Sequence, residues 1–113
     1  MATDERIVAA VTPIVPICEP DEYTPESGEV VAEEYCTYNV DSIPIVFGDD
    51  GTRYTRELVQ VHWYLPLGRR PTEKRLELCR ALQAAGFTYP SVQNASDRDG
   101  QHWVFECETT AEA

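Results

Sequence analysis

Residues 53–65 contain a regular alternation of apolar and polar side chains. The apolar positions are Val59, Val61, Trp63 and Leu65, and the positions between them are Gln60, His62 and Tyr64. Successive side chains of a β-strand point to opposite faces of its sheet. The pattern therefore predicts a strand with one buried face and one polar face.

A second extended run, at residues 34–47, precedes the first and reads EYCTYNVDSIPIVF. Its β-branched and aromatic residues favour a strand, and Pro44 indicates a bulge or an edge position. The intervening GDDG at residues 48–51 is typical of a turn. The two runs together predict a long antiparallel hairpin.

Two segments have the spacing of amphipathic helices. Residues 4–12 predict a short helix with Thr3 as its N-cap. The segment TEKRLELCRALQAAG predicts a longer helix with Thr72 as its N-cap and Gly86 as its C-terminal stop. The apolar stripe of this longer helix comprises Leu78, Cys79, Leu82 and Ala85.

The last third of the chain predicts two further strands. FTYPSV at residues 87–92 is a candidate short strand, DRDG at 97–100 a turn, and QHWVFECE at 101–108 a strand. One face of that strand would carry Trp103, Phe105 and Cys107, and the other His102, Val104 and Glu106. The order α-β-β-α-β-β predicts an α+β domain, with an antiparallel sheet of about four strands and both helices on one face.

The charge balance limits the classes of molecule that the protein is expected to bind. Twenty acidic and nine basic residues give a net charge of −11, which disfavours binding along a phosphate backbone. No apolar run approaches the roughly 20 residues of a membrane span. The acidic start, MATDE, is unlike a secretory signal. These features predict a soluble protein that stays in the cytoplasm where it is made, without sequence-specific nucleic-acid binding.

The 113 residues suit a single domain, 1–113. Within it, residues 19–34 hold seven acidic residues, two prolines and no basic residue. This composition predicts an irregular, solvated acidic connector. Such a connector can be a plain loop or an arm that docks onto a neighbour.

The chain holds few residues in patterns typical of catalysis. The four cysteines, Cys18, Cys36, Cys79 and Cys107, form no C-x-x-C pair and are expected as small core residues. Strand parity places His102 and Cys107 on opposite faces, which argues against a nucleophile pair or a zinc site. No glycine-rich phosphate loop is present. We therefore predict no catalytic, metal or cofactor-binding residues.

The charges are segregated along the chain. Seven of the nine cations lie between Arg53 and Arg80, whereas residues 1–50 hold twelve acids and one arginine. Such segregation fits an ordinary solvated surface. It also suits a head-to-tail contact between copies, which closes into a ring when the rotation permits.

Four segments of the chain resemble segments of the proteins of a known family, and they occur in the same order along the chain. They are EYCTYN, LVQVHWYLPLG, LCRALQAAGFTYP and ASDRDGQHWVFECE, which span residues 34–108. In these segments the chain resembles the small tail terminator proteins of long-tailed phages and prophages, which are also called tail completion or minor-tail-protein-U-like proteins. Residues 1–33 contribute little to the likeness.

The resemblance implies a structural role in the virion tail and neck. Such proteins form a hexameric ring on the head-proximal end of the tail tube, stop its polymerisation and present a surface to the head. The implied partners are further copies of the chain, the major tail tube protein and the head–tail connector protein. The protein would be made in the bacterial host cytoplasm.

The resemblance also suggests where subunits meet. We expect Asp97, Asp99, Glu106 and Glu108 to offer an acidic rim, and Arg69 and Arg70 to form the complementary patch on the next subunit. Two rival functions remain open at this point. One is a head-closure or connector component of the phage neck, and the other is a small cytoplasmic enzyme that uses His102 and Glu106 for proton transfer.

Overall fold

The alternating run at residues 53–65 is the central strand of a five-stranded sheet. The structure, a computed structural model, describes residues 1–25, 32–46 and 53–112. The elements are α1 (Thr3–Val11), β1 (Cys18–Pro20), β2 (Tyr35–Val46), β3 (Arg53–Leu65), α2 (Thr72–Ala84), β4 (Ser91–Asn94) and β5 (Gln101–Glu112). The predicted hairpin turn at residues 48–51 lies outside the described residues.

The strands follow the spatial order β1-β2-β3-β5-β4. The pairs β2–β3, β3–β5 and β4–β5 are antiparallel, whereas β1 runs parallel to β2. Trp63 on β3 lies opposite Cys36 on β2 and Trp103 on β5. This register puts the apolar positions of three strands in one row on one face.

Both helices cover that face and build the core with it. From the sheet, Val59, Val61, Trp63, Leu65 and Phe105 are buried. From the helices, Ile7, Val11, Leu78, Cys79 and Leu82 are buried against them. The predicted α+β class, with two helices on one face of a mostly antiparallel sheet, is confirmed.

The sheet has one strand more than predicted. β1 forms at the start of the segment predicted as an irregular connector, and it pairs with Cys36–Tyr38 of β2. Three residues are too few to show an alternating pattern, and Pro20 argues against a strand in sequence terms. Residues 26–31 of the predicted connector lie outside the described residues.

Three predicted boundaries are also corrected. Ala2, not Thr3, is the N-cap of α1, and Pro71, not Thr72, is the N-cap of α2. A proline suits the start of a helix because it lacks the N–H that would remain unpaired there. The strand predicted at residues 87–92 begins only at Ser91, since Pro90 cannot donate to the ladder.

Arg6 joins α1 to the carboxyl end of α2, and its Nη2 also lies 3.5 Å from Oγ1 of Thr109 on β5. Its guanidinium donates from Nε and Nη2 to the carbonyl oxygen of Ala85, at 3.1 and 2.7 Å, at the carboxyl end of α2. The same group lies 4.6 Å from the ring centroid of Phe87. Gly86 takes a positive φ of 99° there, and a Cβ at this position would collide with Arg6 Nη2. Gly86 thus ends α2, as predicted, and also makes room for Arg6.

Candidate binding groove on the open sheet face

The second face of the sheet, opposite the helices, is the open face. The polar positions of the alternating strands lie there, together with the aliphatic side chains of Leu58 and Val104. Tyr35, Tyr64 and His102 are direct cross-strand neighbours in one row. In the next row His62 lies between Thr37 and Val104.

The rings of the open face form a continuous stack. Tyr23 lies 4.8 Å from Tyr35, centroid to centroid, and Tyr35 lies 4.8 Å from Tyr64. Tyr64 in turn lies 4.3 Å from the imidazole of His102, with only 17° between the ring planes. Cross-strand aromatic pairs of this kind stabilise a sheet and hold each ring in one orientation. We call Tyr23, Tyr35, Tyr64 and His102 the ring stack.

The two histidines of the chain meet at the end of the stack. Nδ1 of His62 lies 2.8 Å from Nε2 of His102, so one imidazole donates a hydrogen bond to the other. Burial lowers the pKa of His62, and the carboxylate of Glu106 opposes that shift. Burial also lowers the pKa of His102, with His62 adding to the shift and Asp97 opposing it. The pair is therefore neutral at neutral pH.

The histidine pair predicts that acid weakens the fold. A histidine of the unfolded chain takes up its proton at about pH 6.5, whereas in the fold His62 and His102 take up a proton only at lower pH. The unfolded chain therefore binds more protons in that window, and the free energy of unfolding decreases as the pH falls through it. Urea unfolding between about pH 7.5 and 5.5 measures this slope.

The matched control removes the titrating groups. In the double variant His62→Gln, His102→Gln, the stability should decline less steeply over the same pH range, because its remaining slope comes from carboxylates alone. Parallel stability curves for the two proteins would contradict the assignment.

A groove of about 500 Å³ opens beside the ring stack. Its wall includes the rings of Tyr35, Tyr64 and His102, and three carboxylic residues, Glu33, Asp97 and Asp99. Carboxylates attract cations. No lysine or arginine lines the groove within the described part of the chain. We call this concavity the acidic groove.

The turn at residues 97–100 holds the two aspartates in place. The Asp99 amide donates to Oδ1 of Asp97 at 2.8 Å, an Asx-type turn that the DRDG sequence predicts. The side chain of Gln101 ties this turn to the loop after β3, since its Nε2 donates to the carbonyl oxygens of Pro66 and Arg69. The Asp97 carboxylate is thus used by the turn itself, while that of Asp99 is exposed at the groove.

Arg69 and Arg70 lie at the same end of the sheet, on the side that carries the helices. There they surround a second concavity with Trp63, Leu65 and Lys74. Nη2 of Arg69 is 3.2 Å from Oε2 of Glu33 in an exposed ion pair. Arg70 is exposed and makes no ion pair with any described residue.

The end of the acidic connector is fixed against this side of the fold. Oε2 of Glu34 accepts the indole N–H of Trp63 at 3.0 Å, and Oε1 lies 2.8 Å from Nζ of Lys74. Trp63 is fully buried, so Glu34 supplies the partner that its N–H needs. Part of the acidic charge of residues 19–34 therefore meets the basic region within one copy.

The predicted interface residues do not form one cluster. Asp97 and Asp99 share the acidic groove, and Arg69 and Arg70 lie close to it across the sheet. Glu106 lies elsewhere on the open face, opposite Gln60 and Ser91. No hydrogen bond joins Glu106 to His102 within the described residues, because His102 is bonded to His62 instead. Their use at a subunit interface stays a prediction.

The thiols of the chain are poor nucleophiles in this fold. All four are free, and three of them, Cys36, Cys79 and Cys107, are buried as predicted. Burial raises the pKa of Cys107 to about 12 and, with help from Glu19, that of Cys18 to about 12. A thiolate is the reactive form, so neither is activated at neutral pH. No group of three or more potential ligands for a metal ion occurs in the residues that the structure describes.

Sequence reasoning missed three features of this region. The contact of His62 with His102 depends on a register that pairs His62 with Val104, which no local pattern reveals. The one sequence signal for this contact was strand parity, since both histidines occupy the polar positions of alternating strands and therefore belong to the polar face. The other missed features are the docking of Tyr23 on the stack and the contact of Glu34 with Trp63. Both involve the connector, whose sequence shows no regular periodicity.

Comparisons with known proteins identify no family for this chain. Neither the family models nor the curated proteins include a match to this chain. Neither described helix is long and apolar enough to cross a membrane.

Proposed function

We propose that the chain is a structural tail terminator of a long-tailed phage or prophage. It caps the head-proximal end of the tail tube as a ring, which is a hexamer in the family that it resembles. It stops polymerisation of the tube and contributes to joining the head. It acts through the surfaces that it offers to copies of itself, to the tube protein and to the head–tail connector protein, and not by catalysis.

The observation that carries this proposal is the order of four family-like segments over residues 34–108. In the fold these segments supply the first part of β2, most of β3, the second half of α2, and the turn and most of the strand around β5. They also supply the whole ring stack except Tyr23, and both aspartates of the acidic groove. The likeness therefore covers both the scaffold and the open face that would be available for assembly.

Deletion of the gene in its phage tests the proposal. We expect tails of uncontrolled length in electron micrographs, because nothing would then stop addition of tube subunits. Supplying the wild-type gene in trans should restore one length. Tails of normal length on heads that have lost their DNA would instead indicate a head-closure protein and would refute the terminator role.

A further inference from the structure

We propose that Cys18 and Cys36 form a disulfide bond when the folded protein meets an oxidising medium, so that the edge strand β1 becomes covalently fixed to β2. The oxidant is a small disulfide such as oxidised glutathione. The bond lies within one copy, so its formation does not depend on the proposed role in the tail. The two thiols are then a modification site as well as core side chains.

The sheet register places the two cysteines side by side. Cys18 on β1 lies directly opposite Cys36 on β2 in the parallel pair of strands. Neighbouring strands lie about 4.8 Å apart, and a disulfide joins residues whose Cα atoms are roughly 4.4–6.8 Å apart. The backbone spacing of these two positions is therefore suitable for the bond.

Both side chains also lie on the same face of the sheet. Cys36 belongs to the buried core, and Cys18 packs against that core from the neighbouring strand. Burial raises the pKa of Cys36, and the thiol of Cys18 adds to the shift because two thiolates would repel each other. Two side chains that occupy opposed positions on one face can meet without a change of register.

Of the two sulfurs, that of Cys18 is the one that can start the reaction, since Cys18 is partly exposed and Cys36 is fully buried. The thiolate of Cys18 attacks one sulfur of oxidised glutathione, which forms a mixed disulfide and releases one glutathione. The sulfur of Cys36 then attacks Sγ of Cys18 and releases the second glutathione. Each protein thiol gives up one proton, and each departing glutathione thiolate takes one up. Two protein thiols are thus oxidised, and one glutathione disulfide is reduced to two thiols.

The reaction is slow and depends on the compartment. Burial, with help from Glu19, raises the pKa of Cys18 to about 12, so little thiolate exists at neutral pH. A reducing cytoplasm keeps both thiols free, whereas an oxidising medium favours the bond. On the proposed function, this change of medium occurs when the virion leaves its host. The bond would then secure a strand of three residues at the edge of the sheet.

Peptide mapping after oxidation tests the pairing. The purified full-length chain is incubated with oxidised glutathione at about pH 8.5, and the remaining thiols are then blocked. No lysine or arginine lies between Cys18 and Cys36, so a glutamate-specific protease is used to separate them before mass spectrometry. We expect an intramolecular bond between these two residues, with Cys79 and Cys107 still present as thiols because both are buried. Complete retention of all thiols, or a bond that involves Cys79 or Cys107, would overturn the inference.

Two single variants test which sulfur reacts first. Cys36→Ala should accumulate one glutathione on Cys18, because the second thiol is missing, and its rate of uptake should rise about tenfold per pH unit between about pH 7 and 9. Cys18→Ala should take up no glutathione at Cys36, which is buried. The opposite pattern of uptake would contradict the inference. Circular dichroism checks that each variant is folded, and mapping of the wild type decides the pairing where one is not.

The stability of the oxidised protein tests whether the bond fits the native fold. The bond closes residues 18–36 into a covalent ring, which should lower the equilibrium constant for unfolding about a hundredfold relative to the reduced protein. Urea unfolding of both forms measures the shift. Cys18→Ala treated with the same oxidant is the control and should show no gain. An oxidised wild type that is no more stable than the reduced form would show that the bond distorts the fold, and this result would also overturn the inference.

Discussion

Replacing Arg6 with methionine is expected to lower the free energy of unfolding by about 2 kcal/mol, because it removes a charged hydrogen bond and a cation–π contact together. The guanidinium donates twice to Ala85 and lies over Phe87, whereas the apolar methionine side chain keeps only the packing of the stem. The carbonyl oxygens at the carboxyl end of α2 would also lose their favourable positive charge. Urea unfolding followed by tryptophan fluorescence measures the change.

Arg6→Lys is the matched control for this prediction. It keeps the positive charge and loses the forked geometry, so its cost should fall between those of the wild type and Arg6→Met. A cost for Arg6→Lys equal to that of Arg6→Met would assign the effect to hydrogen-bond geometry alone. A cost below about 0.5 kcal/mol for both would show that the contact is not formed in solution.

The substitution Gly86→Ala tests the same contact of Arg6 by changing the residue that makes room for its guanidinium. In the wild type the new Cβ would both strain a positive φ and collide with the Arg6 guanidinium. With Arg6→Met in place only the backbone strain remains, about 1–2 kcal/mol. The costs of the two changes should therefore add to more than the cost of the double variant. Simple additivity would place Arg6 away from Gly86.

The parts of the fold that follow from local pattern were predictable. The alternation that ends at Leu65 and the helical stripe that contains Leu78 each bury the face that the sequence indicates. These signals are strong because each element has only one apolar face that it can bury. The stop at Gly86 follows from its freedom to adopt a positive φ.

The remaining features depend on contacts between residues distant in sequence. Arg6 reaches Ala85, Glu34 reaches Trp63, and His62 meets His102, each across a separation that no local window covers. The short parallel strand β1 exists because β2 offers it a free edge. The acidic groove arises in the same way, from a turn, a loop and three strand ends that only the tertiary fold brings together.

These contacts change how the acidic connector is understood. Its composition predicts a solvated segment, yet Tyr23 lies on the ring stack and Glu34 reaches the core. Both described ends of the segment are thus anchored, one on each side of the sheet. The charge of this segment should then matter in two ways: Glu33 lines the acidic groove, and Glu34 supports a buried side chain.

Removal of the Glu34 carboxylate should consequently destabilise the monomer. In Glu34→Ala the indole N–H of the fully buried Trp63 loses its acceptor, which should cost about 1–3 kcal/mol. Glu34→Gln retains an acceptor oxygen and loses only the partly exposed pair with Lys74, so it should cost less than about 1 kcal/mol. Urea unfolding of the three proteins at neutral pH measures the difference.

Two further variants separate the hydrogen bond from general effects of charge. Glu33→Ala removes the neighbouring carboxylate from an exposed pair with Arg69, and its effect on stability should stay below about 0.5 kcal/mol. Trp63→Phe removes the donor, so adding Glu34→Ala to it should cost less than in the wild type. If Glu34→Ala costs the same in both backgrounds, the carboxylate does not stabilise the fold through the indole. The connector would then be held by Tyr23 and by charge alone.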